Sequence, residues 1–158
     1  MRRQIKNRRL NAKRRYVMKV STRGRYALRA MMYLAVNKDN EKMAVLQDIS
    51  DDQDISVKYL ESIMRMLVSY GLVSSYKGKG GGLALAKKPS EIYFNEILEA
   101  AEGPLTLVDC VNNPDSCDRS GKCRAKKLWE DYSEKVKDIF SDVTLEELVK
   151  KYCGNKTP

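Results

Sequence analysis

Three cysteines fall within one short polar stretch of the chain. Cys110, Cys117 and Cys123 lie within fourteen residues, CVNNPDSCDRSGKC. The neighbours of the second and third cysteines are Asp, Ser, Arg, Gly and Lys, so these thiols do not read as core residues. Their spacing, Cys-x6-Cys-x5-Cys, lacks the Cys-x2–4-Cys pairs of zinc fingers and the Cys-x-x-Cys of redox pairs. Three thiolates in a bendable loop favour a metal or iron–sulfur site over incidental cysteines.

The rest of the cysteine chemistry is open at this point. The sequence contains no histidine, which removes the nitrogen ligand that zinc commonly uses. A zinc site and a redox switch, in which the thiols oxidise without a cluster, remain alternatives. The fourth cysteine, Cys153, follows an apolar helical pattern near the C-terminus and is either a further ligand or a packing residue.

The bulk composition predicts a soluble globular protein of ordinary domain size. The chain has 158 residues, of which 42% are hydrophobic and 32% charged. It contains neither a run of about 18 apolar residues nor a secretory signal pattern, so we expect a cytoplasmic protein with reduced thiols. Because there is no cofactor fingerprint and no acid–base constellation, an iron–sulfur enzyme or electron carrier is disfavoured.

The positive charge is concentrated in an N-terminal arm. Eight of the 30 Lys and Arg lie in residues 1–17, which contain no acid, so the other 22 nearly balance the 21 acidic residues. Such an arm can contact nucleic acid. Alternatively, Arg14-Arg15 ahead of Met18 is what a ribosome-binding sequence would encode in frame. We favour this second interpretation, in which translation starts at Met18.

The apolar periodicity predicts three helices followed by a hairpin. Ala27, Met31 and Leu34 share one helix face, and that helix ends between 37 and 40. A short helical segment follows in 45–56. A third helix is expected from Ser56, as its cap, to near Gly71. The sequences LVSSY and LALA read as two strands joined by the turn KGKGGG.

Helix, short helix, helix and hairpin form the order of a winged helix-turn-helix, whose third helix enters the major groove of DNA. The exposed face of that helix offers a cation, hydroxyls and a guanidinium that can bond phosphates or base edges, and Glu61 can accept from a cytosine amino group. The glycine-rich hairpin carries two lysines. The predicted DNA contacts are Arg25, Ser56, Lys58, Tyr59, Glu61, Ser62, Arg65, Lys77 and Lys79.

Three more helices are expected beyond the hairpin. The first is NEILEAAEG, with Asn95 as cap and Gly103 as stop, and the cysteine loop follows it. A long helix from 124 to about 140 has an apolar side. The last, TLEELVKKY, begins with Thr144 and Glu147 at capping-box spacing. The expected divisions are an arm at 1–17, a DNA-binding domain at 18–103, a cluster loop at 104–123 and a dimerisation helix with the C-terminal segment at 124–158.

The chain resembles the IscR/NsrR/CymR (Rrf-type) family of winged-helix regulators over about residues 18–150. The resemblance lies in STRGRYALRAMMYLA, ISVKYLESIMRMLVSYGLVSSYKGKGGGLALAK, EILEAAEG, the cysteine triplet, LW at 128–129 and TLEELV. It implies a mainly α protein, a homodimer built on the long helix, and binding to double-stranded promoter DNA. In the branches with the cysteine triplet it implies an iron–sulfur cluster, [2Fe-2S], on Cys110, Cys117 and Cys123.

The resemblance leaves the fourth ligand of that cluster open. IscR-type proteins use a histidine three residues after the third cysteine, where this chain has Lys126. NsrR-type proteins use an aspartate in the first helix region of the partner subunit, and Arg25 stands at the matching position. The candidates that remain are Cys153, an acidic residue near the loop, or an exogenous group. The turn before the third helix holds Asp54 where the family often has Gly, and Asp tolerates the left-handed conformation.

The sequence therefore predicts a non-enzymatic transcriptional repressor that senses iron–sulfur status, redox state or nitric oxide and controls iron–sulfur assembly or stress genes. The alternative is a cluster-free thiol switch, or a regulator of cysteine metabolism that works with a partner enzyme.

Overall fold

A computed structural model describes residues 20–37 and 43–154 of the chain. It is mainly α-helical, with one two-stranded antiparallel sheet and short 3₁₀ turns at Pro89–Glu91, Pro114–Ser116 and Ser120–Lys122. The elements are α1 (Thr22–Val36), α2 (Leu46–Gln53), α3 (Val57–Ser69), β1 (Val73–Tyr76), β2 (Gly82–Leu85), α4 (Phe94–Glu102), α5 (Asp109–Asn112), α6 (Lys126–Ser141) and α7 (Leu145–Tyr152). The basic arm lies outside the described residues.

The predicted apolar stripes of the first and third helices form the centre of the core. Ala27 and Met31 of α1 and Leu60 and Ile63 of α3 have no exposed surface. The α4 helix packs against both α1 and α3 and adds Ile97, which is equally buried. Burial of these side chains removes apolar surface from water and holds the three helices together.

The turn between α2 and α3 confirms the expectation for Asp54. Its backbone is left-handed, with φ 49° and ψ 52°, and it ends α2. The buried hydroxyl of Ser50 donates to the carbonyl oxygen of Ile55 at 2.6 Å, while Ile55 N donates to the carbonyl of Ser50 at 3.1 Å. These two bonds close the turn and set the direction in which α3 leaves it.

The predicted hairpin is present with a fixed register, and we call residues 73–85 the wing. Val73 pairs with Leu85 and Tyr76 pairs with Gly82. A further bridge joins Ala44 to Leu83, so the segment before α2 runs along the open edge of β2. A Cβ at Gly82 would lie 2.7 Å from the carbonyl oxygen of Ala44, which explains the need for glycine there.

One predicted helix cap lies at another residue, and a second is present without its side-chain hydrogen bond. Asn95 is wrong as the start of the fourth helix, because α4 begins two residues earlier with Tyr93 as its N-cap. The Glu96 carboxylate accepts from Tyr93 N at 2.8 Å, and Phe94 N donates to the carbonyl of Val143, which fixes the earlier start. Ser56 is the N-cap of α3, but its hydroxyl makes no capping bond.

The other predicted helix ends are close to those observed. The long helix begins at Lys126 rather than 124, and α1 ends with Asn37 as its cap. Thr144 and Glu147 form the predicted capping box, in which Glu147 N donates to the threonine hydroxyl at 3.2 Å. Within the described ranges, no helix is long and apolar enough to cross a membrane.

Candidate functional site

The exposed face of α3 carries the side chains predicted to contact DNA. Leu60, Ile63, Met64 and Leu67 point into the core, so the opposite face of this amphipathic helix is turned to solvent. Lys58, Tyr59, Glu61 and Arg65 on that face are exposed, and Ser62 is partly buried.

Two of these side chains form an ion pair within the helix. Arg65 Nη2 lies 3.8 Å from Glu61 Oε1, and both side chains are more than half exposed. Exposed pairs of this kind contribute only about 0.3–0.5 kcal/mol. The guanidinium can therefore leave Glu61 for a phosphate or a base edge at little cost. The Ser62 hydroxyl donates to the carbonyl of Tyr59 at 2.7 Å and keeps its lone pairs for acceptance.

A network of two aromatic rings and one guanidinium holds α3 against α1. It was not predicted from the sequence. The Tyr26 and Tyr59 rings meet edge to face with centroids 5.9 Å apart. Arg29 lies 5.3 Å from the Tyr26 centroid and donates to both the side chain and the backbone oxygen of Gln53, at the end of α2. The sequence signal was present, because Tyr26 and Arg29 are three residues apart beside the apolar stripe of α1.

The first turn of α1 lies beside the exposed face of α3. An open cleft of about 540 Å³ separates them, lined by Ser21, Thr22, Arg23, Tyr59, Ser62 and Met66. Arg25, one of the predicted contacts, is exposed on the same turn and donates to the Thr22 hydroxyl at 3.1 Å. Thr22 and Arg23 were not predicted, although they directly precede Arg25.

The wing borders the other side of α3. A groove of about 510 Å³ runs between them, with Glu61 and Arg65 on the helix side and Ser75 and Tyr76 on the strand side. Lys77 and Lys79 are exposed at the wing tip, where Gly78 has a positive φ of 98° that glycine adopts without strain. The first turn of α1, the exposed face of α3 and the wing thus lie side by side across this cleft and groove, and we call the three together the DNA-facing surface.

The cysteine segment, residues 104–123, is a chain of short turns. It contains α5 and the 3₁₀ turns at 114–116 and 120–122. All three cysteines are free thiols; Cys117 is exposed, whereas Cys110 and Cys123 are partly buried. In the part of the chain that the structure describes, no three metal-binding side chains are gathered into a site. A cluster held by all three thiols would require the segment to bend further.

The donor set of this segment nonetheless fits an iron–sulfur cluster. Thiolates are the usual ligands of such clusters, and all three thiols lie on one stretch of short turns. Arg119, Lys122 and Arg124 are exposed around the second and third cysteines. Between those cysteines Ser120 is buried, and its hydroxyl oxygen has no hydrogen-bond partner in the structure.

A hydrogen bond attaches the cysteine segment to α6, and another joins α4 to α1 just before it. Leu107 N donates to the buried hydroxyl of Ser133 on α6 at 3.1 Å. Just before the segment, the carboxylate of Glu102, the last residue of α4, accepts from Ser21 N at 2.9 Å and joins α4 to the beginning of α1. A Cβ at Gly24 would collide with the same carboxylate, so a larger residue there would displace the end of the Glu102 side chain.

Glu99 joins α3 to α6. Its carboxylate accepts from the Tyr70 hydroxyl at 3.1 Å and lies 3.4 Å from Lys137 Nζ. Burial raises the pKa of Tyr70, and the hydrogen bond to Glu99 raises it further. Tyr70 is the C-cap of α3, so the end of the predicted recognition helix is tied through α4 to the long helix.

The long helix presents an apolar face to solvent. Leu128, Tyr132 and Ile139 are 49%, 51% and 66% exposed, and Trp129 is 38% exposed. Ser133 is its buried residue. Apolar side chains clustered on an exposed helix face are typical of an interaction surface. We call these four residues the α6 face.

Comparison with known proteins identifies the chain. A family model described as an iron-dependent transcriptional regulator, Rrf2, matches residues 20–151. The chain belongs to the Rrf2 family. IscR of Pectobacterium atrosepticum is 36% identical over 132 residues, which cover 84% of this chain and 79% of that protein.

Solved Rrf2 structures share the fold. CymR, the global cysteine regulator of B. subtilis, superimposes with a TM-score of 0.67 at 30% identity, over 85% of this chain and 98% of CymR. T. potens IscR gives a TM-score of 0.64 at 30% identity, over 85% and 88% of the two chains. The expected winged-helix fold is confirmed, and this Rrf2 protein is a transcriptional regulator rather than an enzyme.

The three positions considered for a fourth cluster ligand lie on different elements of this Rrf2 chain. Lys126 opens α6 and pairs with Glu130 at 4.0 Å, and Arg25 is a cation on α1. Cys153 caps the C-terminus of α7, which packs against α1 and the turn at Pro89–Glu91, whereas α5 of the cysteine segment packs against α6. Neither cation can replace a histidine or carboxylate ligand.

Proposed function

We propose that this Rrf2 regulator is a homodimeric repressor of promoter DNA whose binding is controlled by a [2Fe-2S] cluster on Cys110, Cys117 and Cys123. The observation that carries the proposal is a set of three free thiols on one segment of a chain whose family is iron-dependent. That segment lies between the DNA-binding half and the long helix. The proposed domains are residues 18–103, 104–123 and 124–158.

The DNA-facing surface carries side chains that can bind base edges in the major groove and the phosphates beside it. The N-terminal half of α3 would enter the groove, where Lys58 supplies a donor and Glu61 can accept from cytosine, and Arg65, one turn further on, supplies donors for phosphate or guanine. Ser56, Tyr59 and Ser62 add polar contacts along the same helix. Arg25 and the wing lysines, Lys77 and Lys79, would bind the flanking phosphates.

A second copy of the chain is the occupant that we propose for the α6 face. Pairing of two α6 helices would bury the exposed aromatic and aliphatic side chains and place two recognition helices about a two-fold axis. Half-sites in successive turns of DNA require a separation of about 34–36 Å between the two helices. The angle of α6 within the dimer sets this separation.

The three cysteine thiolates would hold the cluster, which supplies a centre whose oxidation or loss reports iron supply, oxidants or nitric oxide. Gathering the thiols would order the cysteine segment, which bonds to α6 through Ser133 and follows α4, whose last residue, Glu102, bonds to the start of α1. The bridge from Lys137 through Glu99 to Tyr70 gives α6 a second connection to α3. A preference of ~3 kcal/mol for the binding-competent dimer would change DNA affinity about 150-fold.

The proposed targets are genes for iron–sulfur assembly or stress defence, because their products are needed when clusters are lost. A test begins with DNA selected from a random pool by the anaerobically purified protein. Its affinity is then measured for the reconstituted protein, the apo protein and Cys117→Ala, at fixed salt. We expect reconstituted and apo protein to differ in affinity or in the sites selected, and Cys117→Ala to behave as apo. Equal affinity and equal site choice in all three would refute cluster control.

A thiol switch is the second candidate, and the exposure of Cys117 favours it. The structural neighbour CymR is named a cysteine regulator. On this account the anaerobic protein is colourless yet binds DNA, and an oxidant changes its affinity without any iron. A partner enzyme that acts through the regulator would be recovered in a pulldown with the reduced protein.

A further inference from the structure

One buried hydroxyl in the cysteine segment has no partner. Ser120 is only 6% exposed, whereas its neighbours Arg119 and Gly121 are exposed. Among the described residues, two buried side-chain oxygens lack a hydrogen-bond partner, Asn95 Oδ1 and Ser120 Oγ. Burying a hydroxyl without a partner costs free energy, so a native partner is expected for it.

The position of Ser120 points to sulfur as that partner. It lies three residues after Cys117 and three before Cys123, and its backbone N–H donates to the carbonyl of Cys117 at 2.9 Å. It also begins the 3₁₀ turn that Cys123 ends. Side chains three residues apart in a 3₁₀ turn lie on the same side, so we expect the Ser120 hydroxyl on the side of the turn from which Cys123, its C-cap, extends.

We propose that the Ser120 hydroxyl donates a hydrogen bond to a sulfur of the cluster held by these cysteines and thereby tunes its reduction potential. This inference rests on the proposed function and deepens it. A hydroxyl has one proton to donate, and thiolate and sulfide sulfurs accept hydrogen bonds. Because reduction adds negative charge to the cluster, a donor to its sulfur stabilises the reduced form more than the oxidised form.

The test compares Ser120→Ala with Ser116→Ala, a control that removes an exposed hydroxyl from the same segment. Ser120→Thr keeps the hydroxyl and is the second variant. Each protein is purified anaerobically and reconstituted with iron and sulfide. Iron and acid-labile sulfide per chain, the midpoint potential and the thermal midpoint of the apo form are then measured.

We expect Ser120→Ala to bind as much iron and sulfide as the wild type but to be reduced about tenfold less favourably, a fall of ~59 mV for one electron. The Ser116→Ala and Ser120→Thr potentials should match the wild type. The apo form of Ser120→Ala should melt no lower than wild-type apo protein, because the hydroxyl has no protein partner to lose.

Three results would overturn the inference. If the wild-type cluster is normal and the Ser120→Ala potential is unchanged, the proposed hydrogen bond is ruled out and the proposed function still stands. Loss of iron in Ser120→Ala while Ser116→Ala keeps it would make Ser120 a ligand instead of a donor. A wild-type protein that takes up no iron or sulfide would defeat the inference together with cluster binding itself.

Discussion

The two halves of the chain bury very different side chains. Up to Ala101, the described residues supply nearly all of the apolar core, including Met31, Leu60 and Ile97, each without exposed surface. From 102 to 144 every residue is described, and none of the apolar side chains is buried. The two buried residues of that stretch are both serines, Ser120 and Ser133.

This difference shows which half specifies its own structure. The helix-turn-helix half has a core that holds the DNA-facing surface in place without any partner. The cysteine segment and α6 leave their apolar and sulfur side chains fully or partly exposed, so we expect their final arrangement to depend on what binds them. Under the proposed function this asymmetry suits a sensor, because a region stabilised mainly by its ligand and partner responds most when either is lost.

The largest expected effect is in the core. Leu60→Ala should lower the free energy of unfolding by about 2–5 kcal/mol, because it leaves a cavity where a fully buried side chain stood. Leu128→Ala removes the same atoms from the α6 face and should change the stability of the isolated chain by less than about 0.5 kcal/mol. Urea unfolding at low protein concentration measures both. Equal losses would contradict the division of the molecule into two halves.

The next effect concerns the α6 face. Tyr132→Glu introduces a charge into the proposed dimer contact and should weaken self-association by about 100-fold or more, because a charge buried without a partner is costly. Sedimentation equilibrium measures the association. Trp129, the sole tryptophan, gives a second readout, since its emission should shift to the blue on dimerisation.

A matched control is available on the same helix. Lys127→Ala removes an exposed residue that pairs with Asp131 at 2.9 Å, and it should leave the dimer unchanged. A fully dimeric Tyr132→Glu would place the homodimer contact elsewhere in the chain.

A smaller effect is expected on the DNA-facing surface. Arg65→Ala should cost about 1–3 kcal/mol at its own base pair and relax the preference there. Lys79→Ala should weaken binding to all sequences alike and reduce the salt dependence by about one phosphate contact. Fluorescence anisotropy over a salt series separates the two. Lys150, on α7, pairs with Glu146, and Lys150→Ala is the control. A comparable loss of DNA affinity in this control would contradict the assignment of DNA contacts to the DNA-facing surface.

The smallest effect is at the α7 cap. Thr144→Ala should cost about 1 kcal/mol, the usual contribution of an N-cap threonine. Hydrogen bonds from the Thr144 backbone N–H and hydroxyl lower the pKa of Glu147 below its ordinary 4.5. Because the folded pKa is lowered, the stabilisation is present above about pH 4.5 and is lost as the pH falls through the folded value. Thermal midpoints between pH 7 and 3.5 should fall less in Thr144→Ala than in the wild type.

The sequence was sufficient where local rules and packing agree. The stripes of α1 and α3, the wing and the Thr144–Glu147 box follow from periodicity, glycine content and capping spacing. Even the left-handed Asp54 could be expected, since aspartate tolerates that conformation.

The features that were predicted wrongly or missed are those that tertiary contacts determine. Asn95 has the type of a cap, but the bond between Phe94 N and the Val143 carbonyl starts α4 earlier. The Arg29–Gln53 contact spans 24 residues and has no local signature. Burial of Ser120, in a segment of otherwise exposed polar residues, also cannot be read from composition. The DNA contacts and cluster ligands named from the sequence stay predictions.

The most direct test of the central claim is the content of iron and acid-labile sulfide per chain after anaerobic purification and reconstitution, with the visible absorption spectrum. For a [2Fe-2S] cluster on Cys110, Cys117 and Cys123, we expect a brown protein with two irons and two sulfides per chain in the wild type. Colour, iron and sulfide should all be lost in Cys117→Ala. A colourless wild type without iron, or a Cys117→Ala variant that keeps a full cluster, would contradict the account.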